Sequence, residues 1–397
     1  MSNSDDFKKA TREMTRDHNQ RLVLKHIYNK GPISRAQLAR LTGLTRSTVS
    51  TVVLRLLKKK LVHETGTSRV SVGKPATLLE FNAESSLIIS LDLASTAFKG
   101  YLYNLRGEMK ECVELGTEHQ RGQAAIQGVL SLVNSLKQNW KILGVGIGTP
   151  GVVEPHNGTV IRSTDLGWEN VALKRLVEER FHIPTHIAND SQAAALAQYV
   201  FGCRKQIDNL ILLKMGRGVG AGMIINGKMF FGDAFGAGEI GHVVVDENGE
   251  QCECGQWGCL ETVVGVKSLK RQLEKMCKTE MKDFNLKAFC QSGHVIDLVQ
   301  LLDKGQPCLN RAIEKGAHAL GSVLALLIGT LNIGYVFLAG EMIQLGDYFL
   351  DPLKQRTIDC SMPILMDKIN IQVSKLIPNL VDLGAVALVL QQELGLV

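Results

Sequence analysis

The chain has 397 residues, 45% of them hydrophobic, and a mean hydropathy of +0.05. These values fit two or three folded domains with ample core and exclude a disordered or fibrous chain. The polar, charged N-terminus has no apolar leader pattern, and nine cysteines without disulfide-scaffold spacing favour a reducing cytoplasm. The net charge of +6 is uneven: residues 1–80 hold 16 Lys+Arg against six Asp+Glu, while the remainder is mildly acidic at −4. A basic module on an acidic body points to a polyanionic partner.

The first predicted element is a helix over His18–Asn29, with Leu22, Val23 and Ile27 at helical spacing and a stop at Gly31-Pro32. Ser34 with Gln37 three residues on reads as a capping box for a second helix, which turns Leu38, Ala39 and Leu41 inward and ends at Gly43. Thr45 caps a third helix whose buried stripe is Val49, Val52, Val53, Leu56 and Leu57. A short turn between the last two gives helix-turn-helix geometry. The start of the third helix is rich in short hydroxyls plus an arginine, which suits base-edge and phosphate contacts in a major groove. A hairpin of Val62–Glu64 and Ala76–Phe81 follows, and its tip forms a wing. The candidate DNA contacts are Arg35, Thr45, Arg46, Ser47, Thr48, Ser50, Thr51 and Arg55, with Arg69 and Lys74 on the wing tip.

From Leu87 the pattern becomes mixed α/β. Strands are predicted over Leu87–Asp92, Phe98–Asn104, Glu108–Leu115, Ile142–Gly148 and Thr185–Ala188. Helices are predicted over Gly122–Asn139, Val171–Phe181 and from Ser191 onward. Thr149-Pro150-Gly151 and Asn189-Asp190 fall at strand ends, where open α/β sheets bind ligands. Ala319–Gly340 has no charge and is long enough to cross a bilayer. Its internal glycines and Asn332 instead divide it into a buried helix, a turn and a strand Tyr335–Ala339, so no membrane insertion is expected.

His242, Cys252, Cys254 and Cys259 lie within eighteen residues, with glycines between them. One imidazole and three thiolates complete a tetrahedral shell, the composition of a closed structural zinc site. A closed shell leaves no open position, so the metal is expected to shape a loop and not to perform chemistry.

Six motifs in order carry a family resemblance: Gly148-Thr149-Pro150-Gly151, Leu166-Gly167-Trp168, Asn189-Asp190, Gly238-Glu239-Ile240-Gly241-His242, the Cys252-to-Cys259 run, and Glu261 behind it. The chain resembles the ROK family of repressors and sugar kinases, in its regulator branch. The resemblance implies an α/β, two-lobed actin-like ATPase (ribonuclease H-like) fold behind an N-terminal winged helix-turn-helix. The implied division is a DNA-binding module at 1–82, a first lobe at 83–200 completed by a C-terminal helix at about 380–397, and a second lobe at 201–379 bearing the zinc site and an oligomer interface. It also implies a monosaccharide held by Gly151, Asn189, Asp190, Glu239, His242 and Glu261. Carboxylates, an amide and an imidazole are the groups that satisfy a ring of hydroxyls.

In kinases of the family Asp190 would be the general base; here it is expected to be a hydroxyl acceptor, with no catalytic residue. The family's first phosphate loop resembles Asp-x-Gly-Gly-Thr, but this chain has Asp92-Leu93-Ala94-Ser95-Thr96. The second resembles Gly-Thr-Gly-x-Gly, but here it reads Gly216-Arg217-Gly218-Val219-Gly220. On the adenosine side Ala339-Gly340-Glu341-Met342 adds a negative charge. The expectation is a cytoplasmic repressor of carbohydrate-utilisation genes, associated with the nucleoid when bound. It would act as a homodimer or homotetramer on double-stranded operator DNA and answer to a monosaccharide. Two alternatives stay open: an ATP-dependent sugar kinase with a DNA-binding arm, and a repressor controlled by a protein partner such as a sugar transporter.

Overall fold

A computed structural model of the protein describes residues 11–67, 75–93, 97–116, 121–138, 140–204, 206–280, 289, 294–303 and 307–397. The chain opens with α1 (Arg12–Lys30), β1 (Ile33–Ser34), α2 (Arg35–Thr42) and α3 (Arg46–Lys58), then β2 (Val62–Thr67) and β3 (Thr77–Phe81), paired in the order β1-β3-β2. α1 starts six residues before the predicted helix because Thr11 caps it, accepting from the Met14 amide. The Ser34–Gln37 capping box and the Thr45 cap both form. Leu38, Val49, Val52, Val53 and Leu56 are buried. Leu41, predicted to face inward, is instead 43% exposed, because the short α2 turns Leu38 and Ala39 to the core and ends before Leu41 can reach it.

The body holds two five-stranded sheets of the same design. The first comprises β4 (Leu87–Asp92), β5 (Ala97–Asn104), β6 (Met109–Gly116), β7 (Ile142–Thr149) and, after a small sheet of β8 (Val152–Glu154), β9 (Thr159–Ser163) and β10 (Trp168–Val171), β11 (Thr185–Asn189). Its order is β11-β7-β4-β5-β6. The second comprises β12 (Leu210–Met215), β13 (Val219–Ile225), β14 (Lys228–Met229), β15 (Tyr335–Ala339) and β16 (Asn370–Val373), in the order β14-β13-β12-β15-β16. In each sheet the first strand forms an antiparallel meander with the next two and is parallel to the strand on its other side. The outermost pair is also parallel. Thus one topology occurs twice. α4 (Gln123–Lys137) and α5 (Leu173–Phe181) cover the first sheet, and α6 (Asp190–Ala197) lies against β12 and β13 of the second.

The uncharged stretch at 319–340 resolves as predicted, into the end of the Pro307–Leu331 helix and β15. That helix is apolar and long enough to cross a membrane by composition, but Ile313, Leu320, Leu324 and Ile328 are buried in the core of the second sheet.

The winged module is packed on the body. Val23, Leu24 and Ile27 of α1 share one core with Ile88, Tyr103, Leu105 and the C-terminal residues Val389, Leu390 and Leu394. The Arg106 guanidinium, from the β5–β6 turn, lies 4.1 Å from the Tyr28 ring centre and 5.3 Å from that of Phe81. Arg21 donates to the Gln392 carbonyl at 3.2 Å. The Leu380–Val389 helix runs from this junction across β4 and β7 to α6, whose first residue is Asp190. It is fixed by Ser90, whose hydroxyl donates to the Asp382 carbonyl at 2.7 Å, and by a very short bond from Tyr103 to the Asp382 carboxylate.

Candidate functional site

A cleft of about 650 Å³ opens between the ends of β7 and β11 on one side and β12, β13 and the loop from His242 to Cys259 on the other. Gly151, Asn189, Asp190, Glu239, His242 and Glu261 all line it. Asn189 is the N-cap of α6: its Oδ1 accepts from the Ser191 and Gln192 amides. Its Nδ2 donates to the Gly151 carbonyl at 3.0 Å and to Glu239 at 3.3 Å, so this amide ties three loops together. Glu239 follows Gly238, which has φ +99° and sits where any Cβ would strike the Ala221 carbonyl. Burial, and then the charge of Asp190, push the Glu239 carboxyl above its ordinary pKa, with His242 opposing.

Asp190 has a partner that sequence reading missed. Lys214 Nζ donates to Asp190 Oδ2 at 2.7 Å, with the two side chains 23% and 13% exposed. Burial alone would depress the Lys214 ammonium, but Asp190, supported by Asp92 and Glu341, raises its pKa. The signal was present: Lys214 is the one charge in the strand Leu210–Met215, otherwise apolar and buried. A charge placed there needs a counter-charge on the sheet's end. Arg217 of the glycine loop also lines the cleft, as do Lys267, Lys270 and Arg271 on one face of α7 (Val266–Glu280). Lys267 pairs with Asp165 at 2.9 Å and Glu253 at 3.3 Å. Burial raises Asp165, but Lys267, with Arg217 and Arg121, outweighs it and holds that carboxyl low. Of the three altered loops, Ala94, Ser95 and Thr96 lie outside the described residues.

The four cysteine and histidine ligand candidates converge. His242 Nδ1 or Nε2 and the sulfurs of Cys252, Cys254 and Cys259 lie within 4.8 Å of one another. Cys252 Sγ is 3.6 Å from His242 Nδ1, and Cys254 Sγ is 3.7 Å from Cys259 Sγ. Zn–S bonds of about 2.3 Å in a tetrahedron give edges of about 3.8 Å, so the spacing fits such an ion. The loop is held by the Cys252 amide donating to the Gln256 carbonyl and by the close approach of Gly258 (φ +69°) to Asp246, where a side chain would collide. Burial raises the Cys252 and Cys259 thiols; at Cys254 burial also raises the thiol, but the Gln256 amide and the bonds from Cys252 and Cys259 together outweigh it, and the pKa falls. His242 turns Nδ1 toward the sulfurs and Nε2 toward Glu239 at 3.8 Å. Glu261 accepts from the Cys252 thiol at 2.8 Å, which joins the cluster to the cleft wall.

On the winged module, Arg46, Ser47, Thr51 and Arg55 are exposed on α3, and Arg46 and Arg55 have no ion pair among the described residues. Other candidates are engaged. Arg35 pairs with Glu64 at 2.8 Å. The Thr45 and Thr48 hydroxyls bond each other at 2.9 Å, and Thr51 donates to the Ser47 carbonyl at 3.0 Å. Arg69 and Lys74 lie outside the described residues.

Residues 88–392 match the ROK family, and residues 14–69 match the MarR family. The chain belongs to the ROK family. A putative xylose repressor from Caldicellulosiruptor sp. is 31% identical over 387 residues, covering 95% of this chain and 96% of its own. The DNA-binding transcriptional dual regulator NagC of Escherichia coli is 26% identical, covering 86% and 85%. Among solved structures, a ROK family transcriptional regulator, a homologue of the E. coli MLC protein, superposes with a TM-score of 0.83 at 24% identity and covers 96% and 98%. A ROK family glucokinase from Streptomyces griseus, solved with glucose and AMPPNP, reaches 0.64 at 24% identity and covers 76% of this chain and 98% of its own. The repeated sheets are therefore the two lobes of the ROK actin-like fold, and the regulator, unlike the kinase, also matches through the winged module.

Proposed function

We propose that this chain is a sugar-responsive transcriptional repressor of carbohydrate-utilisation genes, without kinase activity, acting in the cytoplasm and on the nucleoid when bound. Its parts are a winged module at 1–82, a first lobe at 83–200 completed by 380–397, and a second lobe at 201–379. A dimer or tetramer through the body sets two winged modules on a palindromic operator. A monosaccharide lies between Asn189, Asp190 and Gly151 on one wall and Glu239, His242 and Glu261 on the other. His242 Nδ1, Cys252, Cys254 and Cys259 would hold a zinc ion, which would anchor the loop. His242 then offers Nε2 to a sugar hydroxyl in one tautomer.

The observation that carries this reading is the convergence of those six residues in one cleft of a chain whose exposed, cationic α3 lies ahead of it. Sugar closing the cleft would move the start of α6, and with it the C-terminal helix whose end shares a core with α1. A tenfold preference of sugar for one conformer is worth ~1.4 kcal/mol, enough to change operator occupancy. The test is a thermal-shift screen of monosaccharides on zinc-loaded protein, since a ligand of the folded state must raise its stability. No stabilisation by any sugar would end the effector reading.

A kinase carrying a DNA-binding arm is the second reading, favoured by the presence of Asp190 in the cleft. Against it, Lys214 already occupies one oxygen of Asp190, at 2.7 Å. ADP release with glucose, fructose, N-acetylglucosamine, N-acetylmannosamine or xylose, abolished in Asp190→Asn, would establish the kinase.

A further inference from the structure

The exposed surface of α3 carries an apolar strip among its charges. Leu54 is 63% exposed, while Val49, Val52, Val53 and Leu56 of the same helix are buried. Ser47, Thr51 and Lys58 share its face at helical spacings, and Arg55 is exposed beside it, one turn on from Thr51. Thr51 directs its hydroxyl back to the Ser47 carbonyl at 3.0 Å, which leaves its methyl as the outward group one turn before Leu54. The hydroxyls of Thr45 and Thr48 are bonded to each other. The surface therefore has fewer free hydrogen-bonding groups than its sequence suggests. What it presents is two apolar groups flanked by Arg46, Arg55 and Lys58, none ion-paired among the described residues.

That flanking charge decides the occupant. A protein core would leave three cations unmatched, whereas a duplex supplies phosphates on both sides of a groove. The major groove has one apolar handle, the thymine C5-methyl. We infer that Leu54, with the Thr51 methyl, is a specificity-determining contact that selects a thymine in each operator half-site. The inference rests on the repressor reading above.

The test begins with selection of duplexes from a random library by the full-length protein. Each thymine of the enriched site is then replaced singly by deoxyuridine, which deletes only the methyl group. Binding is expected to weaken about fourfold at one position per half-site, the worth of one buried methyl. In Leu54→Ala that position should become indifferent to the replacement, and reselected sites should relax there, with the salt dependence of binding unchanged. An enriched site with no sensitive thymine, or a sensitivity that persists in Leu54→Ala, overturns the assignment while leaving the repressor intact. A changed oligomeric state in Leu54→Ala with an unaltered deoxyuridine profile overturns it in favour of a protein contact. Enrichment of no sequence at all removes the repressor reading, and this inference with it.

Discussion

The cleft and α3 are both polar surfaces, but they treat their charges in opposite ways. In the cleft, Lys214 is bonded to Asp190, Lys267 to Asp165 and Glu253, and Arg271 to Glu250, and Arg217 and Lys270, which have no ion pair among the described residues, share the lining with Glu239, Glu261 and Glu274. On α3, Arg46, Arg55 and Lys58 have no carboxylate partner among the described residues. A neutral hydroxyl-rich ligand needs preorganised donors and acceptors with little net field, and internal pairing supplies that. A polyanion brings its own counter-charges, so cations held for it gain from being left unpaired. The contrast teaches that the two surfaces are built for partners of different charge.

The largest way to break this comparison is to remove the anchor of the cleft. Cys254→Ser should lose its metal and several kcal/mol of folding stability, with sugar binding falling in the same titration. Metal content by mass spectrometry beside a melting curve checks this. Retained sugar affinity without metal would separate the loop from the cleft. Next, Lys214→Met leaves a mostly buried carboxylate without its ammonium and should cost about 3 kcal/mol in denaturant unfolding. Asp190→Asn in the same chain should recover part of that loss, and the double-mutant cycle gives the coupling.

Burial raises Asp382 to about 6 from an ordinary 3.8, the Tyr103 bond opposing and the charge of Asp92 adding to it. The folded state then binds this proton more tightly than the unfolded one. Stability is fullest below the ordinary value and is lost as pH rises through about 6, by up to about 3 kcal/mol. Asp382→Asn should lack that fall, as measured by melts between pH 4 and 7. The smallest effects lie on the winged module. Arg46→Ala should cost ~1–3 kcal/mol of operator binding, confined to one base pair if it reads a base and uniform if it holds phosphate. Arg35→Ala should change stability by under ~1 kcal/mol, because its partner Glu64 is largely solvated.

The winged module and the cysteine loop were legible because their signals are local. Ser34 with Gln37, Thr45, and the spacing of Cys252, Cys254 and Cys259 each act within a few residues. The alternation of strands and helices gave β4, β7 and β11 to within a residue. What could not be read was pairing between distant segments. Lys214 meets Asp190 only because β12 and α6 pack together, and Arg35 meets Glu64 only because the hairpin folds back on α2. The sharing of one core by α1 and the C-terminal segment has the same origin, a contact across more than 360 residues.

Operator binding by zinc-loaded and metal-stripped protein, each titrated with the monosaccharide that stabilises it most, tests the central claim most directly. This sugar should shift operator affinity at least several-fold in the zinc-loaded protein and have no effect once the metal is gone. An equal shift in both, or none in either, would contradict it.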